Sequence, residues 1–214
     1  MSPLRPPLPA PPVRRLATGV ARLQRAFGET LRARVAGDDA AERGEDIWGK
    51  PGERWFAPGD PIWRVHEDAS MFPGGIAALL LQSLHPAAMA GVAGHSGYKS
   101  DPWGRLQRTS HYLAVTTYGT IPDAEAAIAR VRAVHDRVRG KDHRGRPYRA
   151  SDPRLLTWVH VAETDSFLRA HQAFGERPLT ASEADAYVAQ AGVPAALLGV
   201  REPPRTVWDL RAAL

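Results

Sequence analysis

The chain is expected to be all-α, a single helical domain. Three observations carry that expectation. Apolar residues recur at steps of three and four through most of the chain. Proline or a capping residue opens segment after segment at the place a helix requires it. No strand-like alternation persists, the best stretch being Val115-Thr-Thr-Tyr118, which lies inside a helical pattern. With 214 residues, 43% of them hydrophobic and 24% charged, the chain is long enough for one ordinary globular core.

Six prolines in the first twelve residues exclude the apolar helix of a signal peptide, so residues 1–14 are expected to form a disordered or polyproline arm. From Arg15 to about Ala36, Leu16, Val20, Leu23, Phe27 and Leu31 outline an amphipathic helix with an arginine-rich outer face. Gly37 to Asp60 is rich in Gly, Asp and Pro and is expected to be a loop, anchored by Trp48, Trp55 and Phe56. Pro73 to Ala93 is apolar nearly all round, which predicts a buried central helix bent at Pro86. Asp101-Pro102 opens a helix to about Tyr118, and Ile121-Pro122 opens another closed by Gly140. A polar turn over 141–150 comes next. Ser151-Asp-Pro153 starts a helix to about Ala173, Thr180-Ala-Ser-Glu183 is a capping box for a helix to Gln190, and Thr206 caps a last one.

The absence of cysteine excludes disulfides, iron–sulfur clusters, zinc–thiolate sites, a cysteine nucleophile and thiolate-ligated or covalently attached haem. Any iron must be held by His, Tyr, Met, Lys or carboxylate. The net charge of +5 fits nucleic acid, an anionic membrane or an anionic cofactor equally. The longest apolar run is too short to span a bilayer, so a cytoplasmic protein with peripheral membrane contact is expected.

Two clusters draw chemistry. Ile128, Val131, His135 and Val138 share one helical face, which turns His135 toward the core. A lone core histidine is more commonly bonded to a backbone carbonyl. A neutral imidazole on an apolar wall is also the usual proximal haem ligand. Arg105, Arg108 and Thr109 share another face; the commoner role is a solvated cationic stripe, the alternative a wall that binds propionates or polarises dioxygen. His85, before Pro86, and His160, after Trp158-Val159, are candidates for orienting or supporting a cofactor. No phosphate-binding glycine loop, His-Glu-x-x-His motif or Glu-x-x-His pair occurs. His66-Glu-Asp68 contains the His-x-Asp element of a non-haem iron triad but lacks that site's β-barrel setting.

At Leu79-Leu-Leu-Gln-Ser-Leu-His-Pro-Ala-Ala-Met-Ala-Gly-Val92, Arg105-Leu-Gln-Arg-Thr109, Val134-His135-x-x-Val138-Arg139-Gly140 with Tyr148, and Trp158-Val-His160, the chain resembles the catalytic domain shared by MpaB-type oxygenases and bacterial rubber oxygenases, the latex-clearing proteins. The likeness runs from about Asp60 to Gly199. It implies a globin-like helical core, b-type haem, and dioxygen-dependent cleavage of carbon–carbon double bonds in isoprenoid chains. It implies His135 as the axial iron ligand, Arg105 and Arg139 as cofactor-binding residues with His85 and His160 in support, and Arg108 and Thr109 as catalytic residues beside bound oxygen. Two departures stand out. Arg108 occupies the place where rubber oxygenases can carry a distal lysine. Residues 70–104 hold no glutamate, where those enzymes carry a base upstream of the Arg-Thr cluster. The resemblance also implies further helices beyond Leu214. The partners expected are therefore dioxygen and a hydrophobic, isoprenoid or lipid-like substrate, with no specific nucleic acid. The alternative is a non-enzymatic basic helical protein that binds nucleic acid or anionic membrane.

Overall fold

A computed structural model describes Thr30, Arg34, Val35, Gly37, residues 40–95, Gly97 and residues 100–214. The proline-rich arm, and the helix expected over 15–36 apart from helical Thr30, Arg34 and Val35, lie outside the described residues. From Ala40 onward the chain forms α1 (Ala40–Trp48), α2 (Pro61–Glu67), α3 (Met71–Ser83), α4 (Pro86–His95), α5 (Pro102–Tyr118), α6 (Ile121–His135), α7 (Pro153–Phe174), α8 (Ala181–Leu198) and α9 (Val207–Ala213). The sheet content among the described residues is one antiparallel hairpin, β1 (Arg139–Lys141) with β2 (Pro147–Arg149).

Local chemistry sets most helix starts. Asp101, Thr120 and Asp152 each accept a backbone N–H from the first turn of α5, α6 and α7, with proline at the first or second helical position. Thr180 with Glu183, and Thr206 with Asp209, form reciprocal capping boxes at α8 and α9.

The long helix α7 is the spine of the fold. It packs on α3, α8, α9, α2 and α4. Val161, Phe167 and Leu168 of α7 join Ile62, Val65, Tyr187, Val188 and Leu210 in the main core. The α3–α7 crossing is close because Gly74 has no side chain: a Cβ there would lie 2.9 Å from Phe167 Cδ1 and 3.2 Å from Ala170 Cβ.

Four expectations need correction. The 37–60 stretch holds a helix, α1, whose Ile47 is buried against Val115, Tyr118 and Ala127. The segment around Pro86 is not one bent helix but two: α3 ends at Ser83, Pro86 opens α4, and the pair meets at 106°. Nor is α3 buried all round, since Ile76, Leu80 and Leu84 are 61%, 65% and 72% exposed. Finally, α6 ends at His135 instead of Gly140, and the polar turn is the β1–β2 hairpin. Its geometry comes from tertiary anchors rather than strand propensity. Asp142 accepts N–H groups of Arg144 and Arg146 at 2.9 Å each, Gly145 turns the chain at φ 77°, and buried Tyr148 pins β2 to α4 by donating to the Ala90 carbonyl. No single helix among the described residues is long and apolar enough to cross a membrane.

Candidate active site

Helix α5 packs on α6, α1 and α2 and makes little contact with α3, α4 or α7. Gly104 through Ala114 are accordingly only partly buried, with Arg108 exposed. Polar groups of three helices interact here: Glu163 of α7 with Gln82 of α3 through a hydrogen bond, and with Arg105 and Tyr112 of α5 through its charge.

Glu163 is the residue the sequence reading missed. Gln82 Nε2 donates to its Oε1 at 3.3 Å. Burial pushes its carboxyl up to about 7, although the bond from Gln82 and the charge of Arg105 both pull the other way. A carboxyl so placed holds or releases its proton near neutrality. Its field reaches Tyr112 and Tyr187, whose phenols are raised above their ordinary value first by burial and then by the Glu163 charge. The sequence contained one usable signal: a glutamate one turn beyond His160, in the most buried stretch of the spine helix.

Arg105 is half-buried. Burial lowers its guanidinium from the ordinary value, Glu163 opposes that change and Arg108 adds to it. Thr109 Oγ1 donates to the Arg105 carbonyl at 3.1 Å, so its proton is engaged in the helix and its lone pairs stay available. Arg108 points outward and pairs with Asp101 at 3.4 Å, with both side chains exposed. It borders a surface depression of about 440 Å³ lined by Asp101, Trp103, Gln107 and His111.

His135, the last residue of α6, is partly buried. Its Nδ1 is buried with no hydrogen-bond partner among the described residues, and burial lowers its pKa, with Asp136 opposing. His160 is buried; Thr164 Oγ1 lies 3.4 Å from its Nδ1, its Nε2 has no partner among the described residues, and burial lowers its pKa to about 4. Trp158 Nε1 is a third buried nitrogen without a partner. His85 lies at the α3–α4 break. Its Nδ1 accepts the Ala88 N–H at 3.4 Å and its ring packs on Trp158 at 5.9 Å, which is a helix-capping role. Arg139 is exposed on β1 instead of one helical turn beyond His135.

The structure thus groups Arg105 and Thr109 with Glu163, Gln82 and Tyr112, and links His85 to α7 through Trp158. No hydrogen bond or ring contact among the described residues joins His135 to Arg105 or Thr109. His66, of the His-x-Asp element, is a core group: its Nδ1 lies 2.8 Å from Thr117 Oγ1, its ring packs on Phe167 and Tyr187, and burial lowers its pKa to about 4. Among the described residues no three His, Asp or Glu side chains converge as a metal cage.

A helical domain with a polar cluster about Glu163, one turn from the buried, neutral imidazole of His160, is the class of protein these features define. The chain belongs to the family described as ER-bound oxygenase mpaB/B'/Rubber oxygenase, catalytic domain, which it matches over residues 63–214. It is an oxygenase-type catalytic domain. It is also 33% identical over 112 residues to uncharacterized proteins of Mycobacterium bovis and Mycobacterium tuberculosis, over 50% of this chain and 44% of each relative. The chain therefore matches less than half the length of these curated relatives. No solved structure matches the chain significantly.

Proposed function

We propose that the chain is a b-type haem oxygenase domain that oxidises or cleaves a C=C bond in an isoprenoid or lipid-like substrate. The observation that carries the reading is the buried, unpartnered Nδ1 of His135. An imidazole whose pKa burial lowers, with a buried ring nitrogen that no described residue engages, is available as an axial donor to iron in a porphyrin. A porphyrin needs only one or two protein ligands, so it does not depend on a cage of several donors. The residues fit such a group; bound haem would supply the redox iron at which dioxygen reacts.

The chain's own residues set the conditions for that chemistry. Arg105, half-buried and without an ion pair among the described residues, suits an anionic carboxylate. His160, neutral and with a buried Nε2 that no described residue engages, can accept or donate one hydrogen bond in support of the site. Thr109 can accept from a ligand as it stands, and donates to one only after turning away from the Arg105 carbonyl. Arg108 and Arg139 are exposed. Glu163 holds a proton below about pH 7 and can accept one above it, which supplies a glutamate where residues 70–104 hold none. The site's remaining task is to orient a hydrophobic chain and keep water out.

The test is direct. Purified chain is reconstituted with haemin, freed of excess, and analysed for iron and haem; oxygen uptake is then followed with squalene as the isoprenoid probe. The reading expects stoichiometric haem and squalene-dependent oxygen uptake. A chain that retains neither haem nor iron refutes it. A colourless chain that binds duplex DNA with steep salt dependence would favour the non-enzymatic alternative.

A further inference from the structure

The β1–β2 hairpin carries a charge that neither the core nor the Glu163 cluster uses. Tyr148 points inward against α4, so strand alternation places Arg149 and, by the pairing Lys141↔Pro147, Lys141 on the opposite, outer face. The connecting turn adds Arg144 and Arg146, and all four cations are exposed. Against them stands one acid, Asp142, which is buried and already bound to Arg146. Lys141, Arg144 and Arg149 have no ion pair among the described residues.

The hairpin packs on α4, and α4 leads back within ten residues to the bend at Leu84. There the exposed aliphatic stripe begins: Leu84, Leu80 and Ile76, four residues apart and so on one face of α3. Neither helix carries a single Asp, Glu, Lys or Arg. Together they have the length and composition of a membrane span, but a bend of 106° prevents them from crossing as one rod. An uncharged helix exposing large aliphatic side chains, joined through α4 to a hairpin whose Lys141, Arg144 and Arg149 have no ion pair among the described residues, has the two components of an interfacial lipid-binding element.

We propose that this chain docks on an anionic lipid surface, with the aliphatic face of α3 entering the headgroup boundary and Lys141, Arg144, Arg146 and Arg149 of the hairpin on the lipid phosphates. Nucleic acid would use the cations but leave the leucines in water. The aliphatic stripe therefore favours lipid. The proposal does not depend on haem.

Co-sedimentation with vesicles tests it, using phosphatidylcholine alone and phosphatidylcholine mixed with phosphatidylglycerol. The wild-type chain is expected to bind the anionic vesicles and to leave the neutral ones. Lys141→Glu with Arg144→Glu should weaken that binding about tenfold or more, and added salt should do the same. Leu80→Gln with Leu84→Gln should weaken it at low salt without loss of helical circular dichroism, because both side chains are exposed. Equal binding to neutral vesicles, or no binding to anionic ones, overturns the proposal. So does tighter binding to duplex DNA than to anionic vesicles at the same salt. A dimer in light scattering that the leucine substitutions convert to monomer would assign the stripe to a second copy and overturn it as well.

Discussion

Gln82 on α3 donates its side-chain amide to the carboxyl of Glu163 on α7 across 3.3 Å, at the place where the spine helix faces Arg105 of α5. That bond ties the most tightly packed helix pair of the fold to its most unusual titrating group. Several consequences can be measured.

Glu163 titrates at about 7 in the folded chain, against an ordinary value of 4.5. The unfolded chain gives up this proton first as pH rises, so the Glu163 contribution to stability falls between pH 4.5 and about 7 and is level above. Glu163→Gln removes that contribution. The variant should match the wild type near pH 4.5 and exceed it by about 1–3 kcal/mol at pH 8, after allowance for partial solvent access. Urea unfolding at the two pH values measures the difference; a variant equally or less stable at pH 8 contradicts the assignment.

His66 and His160 act with the opposite sign. Both are held neutral, with pKa lowered from 6.5 to about 4. Their contribution is complete above pH 6.5 and is lost as pH falls toward 4, because the unfolded chain takes up those protons first. In the wild type the Glu163 contribution offsets part of this loss within the same window. Unfolding free energies across pH 4–7 should therefore fall more steeply with acid in Glu163→Gln than in the wild type. Parallel curves would show that the carboxyl is not buried as described, and a Glu163→Gln curve that does not fall with acid would show the same of the histidines.

Gly74 and Gly75 are neighbours with opposite expectations. A methyl at Gly74 meets Phe167 Cδ1 at 2.9 Å and Ala170 Cβ at 3.2 Å in the α3–α7 crossing, whereas at Gly75 the nearest atom is Phe167 Cε1 at 3.8 Å. Gly74→Ala should destabilise by about 1–3 kcal/mol through overpacking. Gly75→Ala should stabilise by up to about 1 kcal/mol, because alanine is the better helix former. Thermal melts of the two variants give the comparison, and a stabilised Gly74→Ala would mean that the helices are not in close contact.

The helices legible in the sequence were those whose starts are written locally. Asp101, Thr120, Asp152, Thr180 and Thr206 cap through bonds to residues two or three positions away, so each start could be read from a short window. The end of α8 at Leu198 was less legible, since Ala-rich sequence carried the helix past Gln190 and through Pro194 to Gly199. The hairpin was not legible because its anchors are partly distant: Tyr148 bonds to Ala90, fifty-eight positions away. Apolar composition suggested that α3 is buried all round, but composition cannot say which face finds a partner, and the Ile76–Leu80–Leu84 face does not. In the site, periodicity turned His135 toward the core, where it is partly buried, and grouped Arg108 with Arg105 and Thr109, whereas Arg108 is exposed and the other two are partly buried. It could not indicate Glu163, whose neighbours Gln82, Arg105 and Tyr187 come from three other helices.

His135 as the holder of a haem iron is the centre of the proposed function. Titrating the purified wild-type chain and His135→Ala with haemin tests it most directly, with the absorption spectrum as readout and circular dichroism to show that both are folded. The wild type should saturate at one haem per chain with a strong band near ~400 nm, and folded His135→Ala should lose that bound spectrum. A folded His135→Ala chain with the same spectrum and affinity as the wild type would contradict the assignment.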